Sequence, residues 1–374
     1  MSLRQKIEEE IRRHGPIPFS RYMEMCLYDA ELGYYAAHAE QFGKAGDFYT
    51  SSDVHAVFGR LLARQFEEMW RALGSPAALQ VVELGPGRGL FAQDVLAWSE
   101  KKFPEFFRAL RYELVEASPA LRNRLAGSLT RQIEAGKAEI YSSMEQLPRQ
   151  LPSPAIVFAN EFFDALPVQV VSDRGELRVG CGERGLAESF VPPRATTLEF
   201  LDRYSVLPEA GERVEAPLAA QEYMQSMAQR LRRGFVVVID YGYTREEQLA
   251  GRHRGTVTAF RRHTISASPY EAPGEQDITA HVNFTALDAA AREGGMQPLA
   301  LLTQAQFLMG IGEANQFADV FEDTRLPQER AKVALQLKHL VTPAGMGESF
   351  HVLVMGKGVD AASARRLSGL KFAR

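Results

Sequence analysis

The sequence predicts an α/β fold built on a mostly parallel sheet with helices on both faces, and three observations lead there. From residue 79 onward, apolar runs of strand length alternate with stretches of helical periodicity. The first of these runs leads into a turn with three glycines, Gly85-Pro86-Gly87-Arg88-Gly89, and the second ends on an acidic residue, Glu116. In such sheets ligands bind at the carboxyl ends of the strands, where both features fall.

Residues 3 to 13 read as a short amphipathic helix stopped by Gly15-Pro16, with Ser20 placed to cap the next helix. Residues 33 to 53 are rich in Gly, Tyr and small polar residues and predict an irregular segment. A helix over about 54 to 73 carries Val57, Leu61, Leu62, Phe66, Met69 and Trp70 on one stripe and stops at Gly74-Ser75-Pro76. The core pattern follows: strand Leu79–Leu84, helix Leu90–Trp98, strand Leu110–Val115, then a helix opened by Ser118 as cap and Pro119 at its first position. Ala138–Tyr141 and Ala155–Ala159 are the third and fourth strands. Val168–Val179 reads as a hairpin turning at Asp173-Arg174-Gly175, and 181 to 213 as a polar, irregular stretch. A helix at about 216 to 232 precedes the most apolar strand, Phe235–Asp240. Beyond it lie a turn-rich insertion, a helix near 284 to 294, a strand at about 297 to 302, helices within 304 to 340 and a last strand, Phe350–Met355. The basic, small-residue-rich end after Gly358 is expected to fray.

Composition narrows the function classes. With 374 residues, 43 Lys+Arg against 47 Asp+Glu and a net charge of -4, the chain has no global positive field to recruit nucleic acid or anionic lipid. No apolar run approaches the roughly 18 residues that a membrane helix needs. Residues 1 to 14 are charged throughout rather than signal-like, and two distant cysteines, Cys26 and Cys181, make no disulfide framework. These features predict a cytoplasmic protein that binds no nucleic acid and inserts in no membrane.

The glycine spacing excludes two phosphate-binding readings. A dinucleotide fingerprint runs Gly-x-Gly-x-x-Gly, whereas here the third glycine comes one position early and Leu90 stands where that glycine would be. No Gly-Lys-Ser/Thr follows, so a Walker-type loop is excluded too. Glu83 followed by Gly-x-Gly-x-Gly instead resembles motif I of the class I S-adenosylmethionine-dependent methyltransferases. That resemblance implies a cofactor cradled by Glu83, Gly85, Pro86, Gly87 and Gly89, with Glu116 accepting hydrogen bonds from the ribose hydroxyls. Gly15-Pro16-Ile17-Pro18-Phe19, Gly33-Tyr34-Tyr35, Gly46-Asp47-Phe48-Tyr49-Thr50-Ser51, Asn160-Glu161-Phe162-Phe163-Asp164-Ala165-Leu166-Pro167, Asp240-Tyr241-Gly242 and Gly345-Met346-Gly347-Glu348 resemble successive signatures of the MidA family, in order along nearly the whole chain. What this implies is a Rossmann-like class I sheet of seven strands in one enlarged domain. Residues 1–75 would form a helical N-terminal extension contributing to cofactor cover. Residues 76–358 would form the core, with an inserted substrate lobe at about 168–233 and a further insertion at 251–283, followed by a basic tail over 359–374. It also implies an activity, methylation of a protein arginine, since mitochondrial members of the family act in complex I assembly by methylating an arginine of a complex I subunit.

An arginine acceptor makes a specific demand, because its guanidinium stays protonated and presents a planar fork of donors. Glu161 and Asp164 follow the fourth strand three residues apart, so a helical turn would aim both carboxylates into one pocket as a clamp. Asn160 beside them could accept amino hydrogens, as in amino-methyltransferases, although the prolines of that motif are missing. Asp47 and Thr50 are placed to close over the methionine end of the cofactor. Methyl transfer needs no metal, and Asp277 and His281, four apart and able to meet on a helical face, are too few to hold one. Two other readings stay open: a small-molecule or other amino-group acceptor on the same fold, and an assembly factor that binds a respiratory subunit without catalysis.

Overall fold

The computed structural model describes residues 1–37, 56–152, 154–183, 185–261 and 264–373. The chain opens with a helix, Leu3–His14, whose Ser2 and Gln5 form a reciprocal capping box, then a two-residue strand, β1 (Ile17–Pro18), and a second helix, Phe19–Tyr28. Ser20 lies inside that second helix rather than capping it, and its hydroxyl accepts a hydrogen bond from Gln169. The alternating region supplies β2 (Leu79–Leu84), β3 (Leu110–Val115), β4 (Ala138–Tyr141) and β5 (Ala155–Asn160). Four strands follow in the first insertion: β6 (Gln169–Ser172), β7 (Gly175–Gly182), β8 (Gly185–Val191) and β9 (Arg213–Ala216). Then come β10 (Gly234–Tyr243), β11 (Thr258–Arg261), β12 (Thr264–Ile265), β13 (Asp277–Thr279), β14 (Val282–Asn283), β15 (Gln297–Thr303) and β16 (Phe350–Lys357).

The central sheet runs β15-β16-β10-β5-β2-β3-β4, with β14 pairing beside the end of β10. Strands β4, β3, β2, β5 and β10 are parallel, and β16 enters antiparallel between β10 and β15. The expected mostly parallel sheet of seven strands is therefore present, in the order of a class I methyltransferase. Strand order reverses at β2, whose neighbours are β3 on one side and β5 on the other. The loops after β2 and β5 thus diverge and leave a crevice at the carboxyl ends, the place such sheets give a ligand.

Two layers of apolar side chains explain why β5 and β10 read as unbroken hydrophobic runs. One face carries Val81, Phe158, Val237 and Ile239 against the helices Ala56–Ala72 and Leu90–Lys102. The other carries Val82, Val157, Val236 and Val238 against Leu218–Arg230 and Phe284–Glu293. Strands covered on both faces lose the alternation of a half-exposed strand.

The segment between β5 and β10 is more ordered than its polarity suggested. β1, β6, β7, β8 and β9 form a five-stranded antiparallel sheet, and Ala195–Tyr204 is a helix. Strand β8 is only half-buried along its length, so its residues carry no strong apolar signal. Ile7, Phe19, Tyr22 and Cys26 of the N-terminal helices share one core with Val170, Val179 and Ile278 of the inserted strands. The chain end differs from expectation as well. Leu367 and Leu370 are buried, and the Ser368 and Gly369 amides donate to Glu68 and Gln65 at 2.8 Å, so the tail is anchored rather than frayed.

The crossing of β5 with the first-face helices is made of aromatic rings. Phe158 stacks on Phe91 at 4.5 Å between centroids and meets Phe66 edge-on at 5.6 Å. Phe158→Ala should cost about 3–5 kcal/mol through the lost contacts and the cavity left behind, read as a lowered midpoint in denaturant unfolding.

Candidate active site

The glycine turn after β2 forms one wall of a cavity at the switch point. Gly85, Gly87 and Gly89 take φ of 63°, 54° and 75°, a region that strains any side-chain-bearing residue. Their surroundings differ. A Cβ on Gly85 would stand 2.9 Å from the Phe162 ring, so this glycine lets the turn approach the segment after β5. A Cβ on Gly89 would meet Leu125 at 2.5 Å, so Gly89, which does not line the cavity, serves helix packing. Nothing stands within 4 Å of a Cβ on Gly87, and with Pro86 and Arg88 it borders the cavity.

Glu116, at the end of β3, is buried and lines the same cavity. Its two oxygens accept the Gly87 amide at 3.2 Å and the Ser118 amide at 2.9 Å, which ties the carboxylate to the glycine turn. Burial pushes its pKa up to about 7, with these amides opposing the shift. Among the described residues these bonds leave the carboxylate lone pairs for a further donor.

Glu83, expected at the cofactor, does not line the cavity. Val82 and Leu84 face one layer of the core, and Glu83 turns to the other with Val81 and Tyr112. There its carboxylate accepts the Tyr112 hydroxyl at 2.9 Å, and burial pushes it up to about 8. Strand alternation alone sends it away from the cavity. Asp47 and Thr50 lie outside the described residues.

Opposite the glycines stand Asn160, Glu161 and Asp164, which the structure brings to one cavity. Glu161 sits at φ 50°, a strained conformation for a non-glycine residue. The turn is held by Asp240, a residue that the sequence reading gave no role of its own. Its fully buried Oδ2 accepts the amides of Phe162, Phe163 and Asp164 at 3.2, 3.0 and 3.4 Å, and Oδ1 accepts the Tyr241 amide at 2.9 Å. Burial raises the proton affinity of Asp240, as do the carboxylates of Asp164 and Glu161, while amide donors favour its charged form. Asp164 is buried and its pKa is pushed up to about 6. Its Oδ2 accepts the Tyr241 hydroxyl at 2.6 Å, and its Oδ1 and the Asn160 Oδ1 are buried with no partner among the described residues. Phe163 is core, whereas Phe162 borders the cavity.

Four further cavity residues arrive from outside the central sheet. Tyr28 and Tyr35 come from the N-terminal segment, and the Tyr28 hydroxyl donates to the Ala165 carbonyl at 3.0 Å. Asp277 and Thr279 come from β13. This changes the expected pairing of Asp277 with His281. The segment is a strand, so Asp277 shares a face with Thr279, and the Tyr35 hydroxyl donates to it at 3.2 Å. His281 lies past the strand and meets His253. Among the described residues no group of three or more His, Cys, Asp or Glu side chains could hold a metal.

The cavity suits a cofactor that carries vicinal hydroxyls and must be approached by backbone. Open space over Gly87, a buried carboxylate with spare lone pairs and orphaned oxygens on Asn160 and Asp164 all meet there.

Comparison with known proteins agrees with this geometry. Residues 61–302 match a family of S-adenosyl-L-methionine-dependent methyltransferases. A Drosophila melanogaster relative, described as "Protein arginine methyltransferase NDUFAF7 homolog, mitochondrial", is 31% identical over 96% of this chain and 86% of its own length. The Homo sapiens protein of that name is 28% identical over 92% of this chain and 81% of its own. A Burkholderia thailandensis crystal structure bound to S-adenosyl-homocysteine superposes with a TM-score of 0.85 at 29% identity, covering 99% of this chain and 95% of the other. The Drosophila melanogaster and Homo sapiens relatives are described as mitochondrial, which overturns the expectation of a cytoplasmic protein. Two free cysteines, Cys26 and Cys181, fit a reducing compartment and do not tell one such compartment from another.

Asp240→Asn removes one of two oxygens that accept amides and turns an amide N–H₂ toward them. The expected cost is about 1–3 kcal/mol, with the amides of Phe162, Phe163 and Asp164 losing hydrogen-exchange protection by mass spectrometry; unchanged protection would remove Asp240 as the anchor.

Proposed function

Because the chain belongs to the S-adenosyl-L-methionine-dependent methyltransferases whose family it matches over residues 61–302, we propose that it methylates an arginine side chain of a protein. One arrangement supports this above the rest: Glu161 and Asp164 line the same cavity as the glycine turn and Glu116. Paired carboxylates suit the planar, permanently charged fork of a guanidinium. The relatives named as protein arginine methyltransferases support the same acceptor class. A respiratory complex I subunit, which the MidA resemblance suggests, is the first protein to assay.

S-adenosylmethionine, when bound, supplies a methyl group on a sulfonium sulfur, transferred as the N–C bond forms and the S–C bond breaks with its electron pair left on sulfur. Gly85 and Gly87 admit backbone to that ligand, and Glu116 accepts its ribose hydroxyls. Glu161 orients the guanidinium and draws positive charge away from the attacking nitrogen. Asp164 receives the proton released: burial holds its pKa near pH 7, at about 6, and its Oδ1 is not committed to another donor among the described residues. Tyr241 fixes the other oxygen.

Incubating the protein with methyl-labelled cofactor and mitochondrial protein, then hydrolysing, should yield labelled methylarginine. Glu161→Gln should lower transfer at least ~10²-fold, on the scale of a lost catalytic carboxylate, with little change in S-adenosyl-homocysteine affinity. Label confined to small molecules would overturn the protein acceptor.

Glu116 gives a pH signature that does not depend on turnover. Its folded pKa of about 7 exceeds the ordinary 4.5, so in the free protein its contribution to stability is full below about 4.5 and is lost as pH rises through about 7. Ribose hydroxyls donate to the ionised form, so S-adenosyl-homocysteine binding at pH 6 should expel a proton, and affinity should rise toward pH 8. Calorimetry in buffers of different ionisation heat measures this, and Glu116→Gln should flatten the profile.

A further inference from the structure

A second cavity, of about 570 Å³, opens at the carboxyl end of β10 beside the start of β16. Glu161 and Thr279 line both it and the cofactor cavity, so the two volumes meet at one of the proposed clamp residues. Resting on the methyltransferase reading above, we infer that this second cavity is the acceptor's entry channel, and that it selects a cationic side chain on a long apolar stem.

The walls carry that selection. Tyr241, Phe260 and Phe350 line the space and supply aromatic, apolar surface of the kind that such a stem needs and that a guanidinium can stack upon. Three carboxylates border the space: Glu161 at its inner end, Glu247 along it and Glu348 at the exposed rim. The guanidinium among the described lining residues, Arg252, lies 3.8 Å from Glu247. A carboxylate series from rim to clamp draws a cation inward and opposes an anion.

Histidines complete the wall: His253, His281, His339 and His351 are among the described lining residues. His253 and His281 meet Nδ1 to Nδ1 at 3.1 Å, a contact in which one nitrogen must lack a proton, so at least one of the two rings is neutral. His253 stacks on Tyr243 and His281 stands edge-on to Tyr241, which fixes both rings. Burial lowers the proton affinity of His253, His281 and His351 alike. The His253–His281 contact leaves at least one neutral imidazole on this wall, able to hydrogen-bond a peptide without repelling its cation.

Separating the channel from the cofactor site tests the inference. Ser349 and Ala344 are exposed residues on the rim of this cavity and do not line the other. Ser349→Trp and Ala344→Trp are each expected to keep S-adenosyl-homocysteine affinity within about threefold by calorimetry while protein labelling falls more than tenfold. Undiminished labelling in both variants overturns the channel. A short arginine-containing peptide, added to the ¹³C-histidine-labelled protein holding S-adenosyl-homocysteine, should shift the His253 and His281 resonances. The same peptide with glutamate in place of arginine should not. No shift with the arginine peptide, or equal shifts with both, overturns cation selection. Label on lysine in place of arginine overturns the arginine reading alone and leaves the channel standing.

Discussion

The cavity depends on one buried carboxylate, Asp240, which gathers four backbone N–H groups at the end of the strand next to the one it organises. Without it the turn after β5 would leave three amides unsatisfied in the interior. With it, Glu161 can stand in a strained backbone conformation, and Asp164 can be turned inward under the Tyr241 hydroxyl. The same turn receives the Ala280 amide on the Asp164 carbonyl and the Tyr28 hydroxyl on the Ala165 carbonyl. The central sheet, the small sheet of β11–β13 and the N-terminal helices therefore meet on six residues.

That convergence brings acidic groups together at a cost to the free protein. Glu116, Asp164 and Asp240 are all buried near one cavity, and burial disfavours their charged forms. The field they create is what a cationic acceptor and a sulfonium ligand would relieve. Ligands that supply positive charge or O–H donors should thus add to stability as well as occupy space.

Much of the fold was legible because the strands of a doubly covered sheet announce themselves by unbroken apolarity. Phe235–Asp240 needed no partner to be recognised, and the meeting of Gly85, Gly87 and Glu116 at one cavity follows from strand ends lying side by side in a parallel sheet. Strand β8 was not, since half-exposed residues carry no strong period. Glu83 stands at the same strand end but turns from the cavity, because a motif gives position along a strand and alternation decides the face. Asp240 was in view as the end of an apolar strand, yet its role arises from amides contributed by a turn nearly eighty residues earlier. The contribution of Tyr28 and Asp277 likewise exists only once distant segments pack together.

The pairing of β16 gives the assembly of the sheet an order in time. β16 lies between β10 and β15, and Ser368 and Gly369 bond to side chains 300 and 304 residues earlier. The helix carrying Gln65 and Glu68 belongs to the core layer on one face of the sheet, so that layer takes contacts from residues some 300 positions downstream. During translation the apolar strand β10 has one unpaired edge for more than a hundred residues, an interval in which an aggregation-prone edge needs shielding.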